Sequence, residues 1–211
     1  MTVFLAYVAV FVTVFALVDP LGALPFFVAM TDGFSESDRT IVIRRAVLVL
    51  GSILGVFAVV GTFLFAAFGL TLAAFEMAGG ILLFIVAYDM LHGEVTRTKL
   101  TTEDRQEAIE RRDEIAVVPL GIPLLAGPGA ISTVMIYEGN AGNDPVMVVT
   151  VFLAIIVTTV ATYFVLRYGQ VIIRHLGRTG IMAMTRVLGL LLAAVGVQFV
   201  LNGIFGAFGH P

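Results

Sequence analysis

Two short stretches of the chain combine residue types suited to holding the two ends of a zwitterion. The first is Asp19-Pro20-Leu21-Gly22-Ala23; the second is Gly127-Pro128-Gly129-Ala130-Ile131-Ser132-Thr133. Each has the pattern of a helix start. Asp19 is a good N-cap, and Pro20 suits the first helical position, where no backbone N–H is required. Gly127 is a permissive N-cap and Pro128 again takes the first position. A helix start presents unpaired N–H groups and a partial positive charge, which together attract an anion. The second start offers bare backbone at Gly129 and Ala130 with the hydroxyls of Ser132 and Thr133 close by, which suits a carboxylate. The first carries Asp19 beside Pro20 and Gly22, which suits an ammonium. A small amino acid has both groups and would bridge the two starts. Three readings stand for Asp19: it binds the amino group, it carries a coupling proton or sodium ion, or it caps a helix and does nothing else.

The elements that position these residues must be interrupted helices. Pro20, Gly22 and Pro25 fall within six residues, and Pro119, Gly121, Pro123, Gly127, Pro128 and Gly129 within eleven. Proline inside a helix removes a donor and clashes with the carbonyl four residues back. Broken backbone at membrane depth is tolerated where it is buried in protein or lines a watery cavity. From Pro20 to Thr31 is 12 residues and from Pro128 to Tyr137 is 10, about 18 Å and 15 Å of helix. Half the hydrocarbon thickness is ~15 Å, so both breaks are expected near the midplane.

A membrane is required by the composition. Of 211 residues, 59% are hydrophobic and 13% charged, against roughly 25% charge in a soluble domain. Mean hydropathy is +1.05. There are no cysteines, and the net charge of −3 gives no reason to expect a nucleic-acid partner. No HExxH, P-loop or paired-carboxylate centre is present, so neither an enzyme, a cofactor nor a metal site is expected. The chain is read as a single all-α membrane domain of six transmembrane helices, near 4–30, 46–68, 71–91, 115–138, 146–168 and 182–206, with the first and fourth broken and a tight turn at Gly69. The first helix has no basic n-region or small-residue cleavage site before Asp19 and is expected to remain in the mature protein. The loops after helices one, three and five hold 11 of the 12 basic residues. That places the mixed-charge linker 92–114 in the cytoplasm and both termini outside a multi-pass cell membrane protein.

The halves resemble each other. Pro20 and Pro128 align at an offset of 108, and Ala78-Gly79-Gly80-Ile81-Leu82-Leu83 resembles Leu188-Gly189-Leu190-Leu191-Leu192 at 110. Three helices per half (about 1–91 and 115–211) make a 3+3 inverted repeat, a common plan of secondary transporters. Other polar residues at depth divide between pathway and structure. Asp89 and Arg186 fall near the cytoplasmic ends of helices three and six and are placed to pair or to snorkel. Glu76 lies toward the outer end of helix three. Gln198 and Asn202, four apart on one face of helix six, either line a pathway or hydrogen-bond across helices. Gly79, Gly80 and Gly189 favour close helix packing.

The same motifs resemble the MarC family, also described as the SnatA-type small neutral amino-acid transporters. The resemblance runs through Asp19-Pro20-Leu21-Gly22-Ala23-Leu24-Pro25-Phe26-Phe27, Ala78–Leu83 with Asp89-Met90-Leu91, Ile122–Ser132, and Thr185-Arg186 leading into Gly189–Ala194. It covers nearly the whole chain, and Ile122–Ser132 is its most specific part. It implies uptake of glycine, alanine and similar small amino acids, coupled to a cation gradient. The family's first motif accepts Asn or Asp at the position of Asp19. Sequence leaves the direction of transport open, so an exporter of amino acids or another small metabolite is the alternative. The oligomeric state is likewise open.

Overall fold

In the computed structural model, proline, glycine and capping residues set the element boundaries. The structure describes residues 2–31, 34–92, 114–141, 144–174 and 177–208. Every regular element among them is helical: α1 (Thr2–Val18), α2 (Pro20–Met30), α3 (Glu36–Phe68), α4 (Leu72–His92), an irregular coil over Ala116–Leu125, α5 (Pro128–Ala141), α6 (Pro145–Arg174) and α7 (Gly177–Phe208). Ser35 opens α3 by accepting the Asp38 N–H at 3.2 Å. Gly69 closes it in the left-handed region, at φ 63, as the expected tight turn requires. Thr71 caps α4 through the Ala74 N–H, and Asp144 caps α6 through the Val146 N–H.

Three boundaries depart from the charge-based expectation. α3 starts at Glu36 rather than near 46, α6 runs to Arg174 rather than 168, and α7 starts at Gly177 rather than 182. The arginines read as loop residues belong to helical extensions. Arg44 and Arg45 are exposed there, and Glu36 and Arg167 approach to 3.9 Å between α3 and α6. The linker 92–114 lies almost wholly outside the described residues, as do His175 and His210.

Four helical stretches are long and apolar enough to span a bilayer: Val8–Val28, Glu36–Phe68, Pro145–Gly169 and Gly189–Phe208. The coil Ala116–Leu125 and α5 make a further apolar pair, bent by 60°. α4 is shorter, with an apolar stretch of Leu72–Tyr88.

α3 and α6 cross at the centre, where a Cβ on Gly51 would lie 3.1 Å from Thr159 Oγ1. The broken segments pack around that crossing. α1 and α2 lie on α6, while the Ala116–Leu125 coil and α5 lie on α3. The core between them holds Phe27, Ile43, Leu50, Leu54, Leu120 and Leu166, all buried.

α4 and α7 pair along most of their length, and small residues explain how. Ala73, Gly80 and Ala87 recur every seven positions in α4, and Gly189, Gly196 and Gly203 do so in α7. A Cβ on Gly80 would lie 2.5 Å from the Gly196 carbonyl oxygen, and one on Gly203 equally close to that of Ala73. Those two contacts fix an antiparallel register. Seven-residue spacing keeps one seam facing the partner along the whole helix.

Candidate substrate site at the two helix breaks

The first break is a single residue. Asp19 stands between α1 and α2 with φ 44, the one non-glycine residue with positive φ among those described. Its N–H donates to the Phe15 carbonyl and its own carbonyl accepts from Ala23, both at 3.1 Å, so the helical ladder continues on either side. The carboxylate Oδ1 accepts the Gly22 N–H at 3.0 Å. This is the N-cap expected from the sequence, followed by Pro20 as the first residue of α2. A left-handed residue other than glycine is tolerated chiefly for Asn and Asp, whose side chains bond locally. Gly22 completes the fit, because a Cβ there would collide with Asp19 Oδ2. Asp19 is exposed, whereas Pro20 beneath it is buried.

The second break is much longer. Val118 (φ −131, ψ 126) and Ile122 (φ −136, ψ 129) are extended. Each precedes a proline, whose ring disfavours the helical conformation of the residue before it. The Val118-Pro119 and Ile122-Pro123 peptides are cis. The coil closes with the Ala126 N–H on the Gly121 carbonyl at 2.9 Å. α5 then starts at Pro128, with the Ile131 N–H on the Gly127 carbonyl at 3.0 Å. The break therefore runs from Ala116 to Gly127, where the sequence led us to expect an interrupted helix; Pro119 and Pro123 account for the difference.

Gly127, Pro128, Gly129, Ala130 and Ser132 are all buried, and Thr133 is half-buried. Ser132 Oγ donates to the Pro128 carbonyl at 2.5 Å, so its proton is committed to the helix while its oxygen can still accept. Among the described residues no acceptor meets the N–H groups of Gly129 or Ala130. Buried backbone donors are nearly always paired, so two adjacent bare ones at a helix start are donors to which an anion is attracted. Pro128 packs on Gly79 of α4, where a Cβ would collide with the proline ring. A Cβ on Gly129 would lie 3.0 Å from Phe199 Cζ and 3.5 Å from Leu17 Cδ2. Leu17 is two residues before Asp19, so the two breaks adjoin.

Among the described side chains, the remaining polar candidates make no hydrogen bond to either break. Gln198 and Asn202 are exposed and bond each other, with Gln198 Nε2 donating to Asn202 Oδ1 at 2.8 Å. It is their neighbour Phe199 that reaches the break. Arg186 is exposed on α7. Asp89 belongs to α4, at a level the antiparallel register matches to position 187, but its side chain lies outside the described residues. Glu76 is half-buried on α4, beside Phe75, which packs against Phe57 and Phe65 of α3.

Sequence reading missed Arg39. It is buried, and its Nε and Nη2 donate to the Thr31 carbonyl at 3.0 Å and 2.9 Å. Thr31 Oγ1 in turn donates to the Phe27 carbonyl at 2.7 Å. The guanidinium thus satisfies the C-terminal end of α2, where carbonyls lack helical partners and a cation is favoured. The available signal is an arginine placed just after a short helix, which charge counting alone takes as a marker of the cytoplasmic side.

The model of the MarC family of integral membrane proteins matches residues 4–208. The chain belongs to the MarC family. Its relatives include a UPF0056 membrane protein of Pyrococcus abyssi, 38% identical over 203 residues that make up 96% of each chain. They also include UPF0056 membrane protein YvbG of Bacillus subtilis, 33% identical over 95% of each chain. A third is YhcE of Escherichia coli, 34% identical over 97% of this chain and 94% of its own. No solved structure matches. In this MarC protein the exposed Asp19 carboxylate and the buried Gly129–Ala130 donors offer opposite polarities at neighbouring helix starts, with Phe199 and Leu17 beside Gly129.

Proposed function

We propose that this MarC protein is a secondary active transporter of small neutral amino acids. Its binding site is the pair of helix breaks, with Asp19 receiving the ammonium and the N–H groups of Gly129 and Ala130 receiving the carboxylate. The observation that carries this reading is the pair of unpartnered buried N–H groups beside a break that bears a carboxylate. Phe199 and Leu17 lie beside Gly129 and would border a bound carboxylate. Because they belong to α7 and α1, access is coupled to motion of elements around α5.

An inverted repeat of six spans would supply that motion, with the termini outside and the linker 92–114 in the cytoplasm. Three relationships at the offset of 108 support it. Pro20 and Pro128 each begin the helix that follows a break. Gly51 and Thr159 occupy equivalent positions and touch one another at the central crossing. Gly61 and Gly169 are also equivalent, and each packs on the half-helix of the opposite repeat: Gly61 on Met135 of α5, Gly169 on Leu24 of α2. Contacts that interchange the halves are what a pseudo-two-fold axis in the membrane plane produces.

The test is transport by purified protein in liposomes, using labelled glycine and alanine with and without an imposed proton or sodium gradient. Gradient-stimulated uptake and counterflow are expected. Absence of both for every small neutral amino acid would overturn the proposal.

A further inference from the structure

We infer that a second copy of this chain docks on the outward face of α7, with Gln198 and Asn202 closing a polar contact across a two-fold axis normal to the membrane. The inference is independent of what the protein transports.

It starts from where the two amides sit. The apolar span of α7 is Gly189–Phe208, and Gln198 lies nine residues from one end and ten from the other, ~15 Å either way. That is the bilayer midplane, and the adjacent Phe199 reaches the buried break at Gly129. Both amides are nevertheless exposed on the isolated chain.

Their mutual bond uses one donor and one acceptor. Gln198 keeps its carbonyl oxygen, and Asn202 keeps its NH₂ group; neither meets a partner among the described residues. Lipid tails offer no partner, and an unsatisfied amide in hydrocarbon is costly. Water is an unsuitable partner here, because the same stripe is continuously apolar: Leu191, Val195, Leu201 and Phe205 flank the pair, all exposed. A watery vestibule would be lined with polar groups.

The remaining groups are complementary to themselves. One copy's free NH₂ group matches another copy's free carbonyl oxygen, and a two-fold axis forms the contact twice. Copies inserted with one topology place their α7 helices parallel, so the amides of both fall at one depth. The face also has room for a partner. Only 11% of the α7 span is buried within the chain, against 28% for the spans in α3 and α6 and 39% for Val8–Val28. Its opposite side is already committed to α4 through Gly196 and Gly203.

The chain contains no cysteine, which makes cross-linking direct. Leu201→Cys in native membranes, treated with a short bismaleimide, is expected to give a species of twice the chain mass. Val56→Cys, exposed on α3, serves as the control and should remain monomeric. Adding Gln198→Leu and Asn202→Leu to Leu201→Cys should reduce the dimer at least threefold, because interhelical polar contacts hold membrane helices together. Unchanged melting of that variant in detergent would show that it still folds. Subunit counting by photobleaching in dilute liposomes should give two steps for the wild type. Four results would overturn the inference: single-step bleaching, cross-linking indifferent to the two leucines, a product containing a different polypeptide, or rapid labelling of Gln198→Cys by a membrane-impermeant maleimide, which would place the amides in a watery pathway.

Discussion

Leu17 rests against Gly129, so the last turn of α1 touches the first turn of α5. This contact joins the two breaks through residues that carry no polar group, and it sets Asp19 two residues from the neighbourhood of the buried donors. The proposed site depends on that adjacency. An ammonium and a carboxylate on one α-carbon are only a few ångströms apart and need partners at similar spacing.

Asp19→Asn separates cap from charge. Asn retains the acceptor for Gly22 and tolerates the left-handed backbone, so the melting temperature should barely move. Loss of the negative charge should lower glycine uptake at least tenfold. Asp19→Ala loses the cap as well, about 1 kcal/mol, with a further ~1–2 kcal/mol for a left-handed alanine. Equal uptake by wild type and Asp19→Asn would assign Asp19 to capping alone.

Phe199→Ala tests the ring beside the second break. The ring edge lies 3.0 Å from where a Cβ on Gly129 would be, and in the proposed site the side chain of a bound amino acid would pack beside it. Removing it should extend the accepted substrates from glycine and alanine toward valine and leucine in a competition assay, at a stability cost below the ~3–5 kcal/mol of a fully buried phenylalanine, since Phe199 is only half-buried. An unchanged competition profile would place the substrate side chain elsewhere.

Arg39→Lys should weaken the hold on α2. One ammonium does not reproduce the two bonds that the guanidinium makes to the Thr31 carbonyl. Hydrogen bonds to a charged group contribute ~1.5–3 kcal/mol, and a large part of that should be lost. Hydrogen exchange ought to quicken in the last turn of α2 and stay unchanged in α5. Quickening spread evenly over the whole chain would indicate a general loss of packing instead.

How much of this was legible beforehand depends on how local the cause is. Asp19-Pro20 and Gly127-Pro128 specify helix starts through their own backbone chemistry, and both starts fall where the residues put them. Gly69 ends α3 for the same reason. The coil from Ala116 to Gly127 is longer than expected because two X-Pro steps act together with the glycines. The role of Arg39 is not legible, because charge density locates a membrane surface but says nothing of a carbonyl eight residues earlier that folding brings beneath the guanidinium. Gln198 and Asn202 share a helix face, and only the packing reveals that this face is exposed while the adjacent Phe199 meets Gly129. The glycine–alanine seam was half visible. Gly80 and Gly189 stood out singly, but the seven-residue spacing acquires meaning only when α4 and α7 lie antiparallel.

That seam yields a prediction about coupling between positions. A methyl group on Gly80 would lie 2.5 Å from the Gly196 carbonyl oxygen, and one on Gly196 would lie 2.7 Å from the Gly80 carbonyl oxygen and 3.0 Å from the Phe84 nitrogen. Backbone atoms cannot swing aside as a side-chain tip can, so either substitution must push the helices apart. Overpacking of this kind costs ~1–3 kcal/mol, offset in part by the better helix propensity of alanine. Gly80→Ala and Gly196→Ala should therefore each lower the melting temperature in detergent. The double variant should lose clearly less than the sum, because one separation accommodates both methyl groups and residues in contact are not additive. Gly55→Ala on α3 is the control, since nothing lies within 4 Å of its added Cβ, and it should be neutral or slightly stabilising. Strict additivity of the two seam substitutions would mean that the helices do not meet at Gly80 and Gly196.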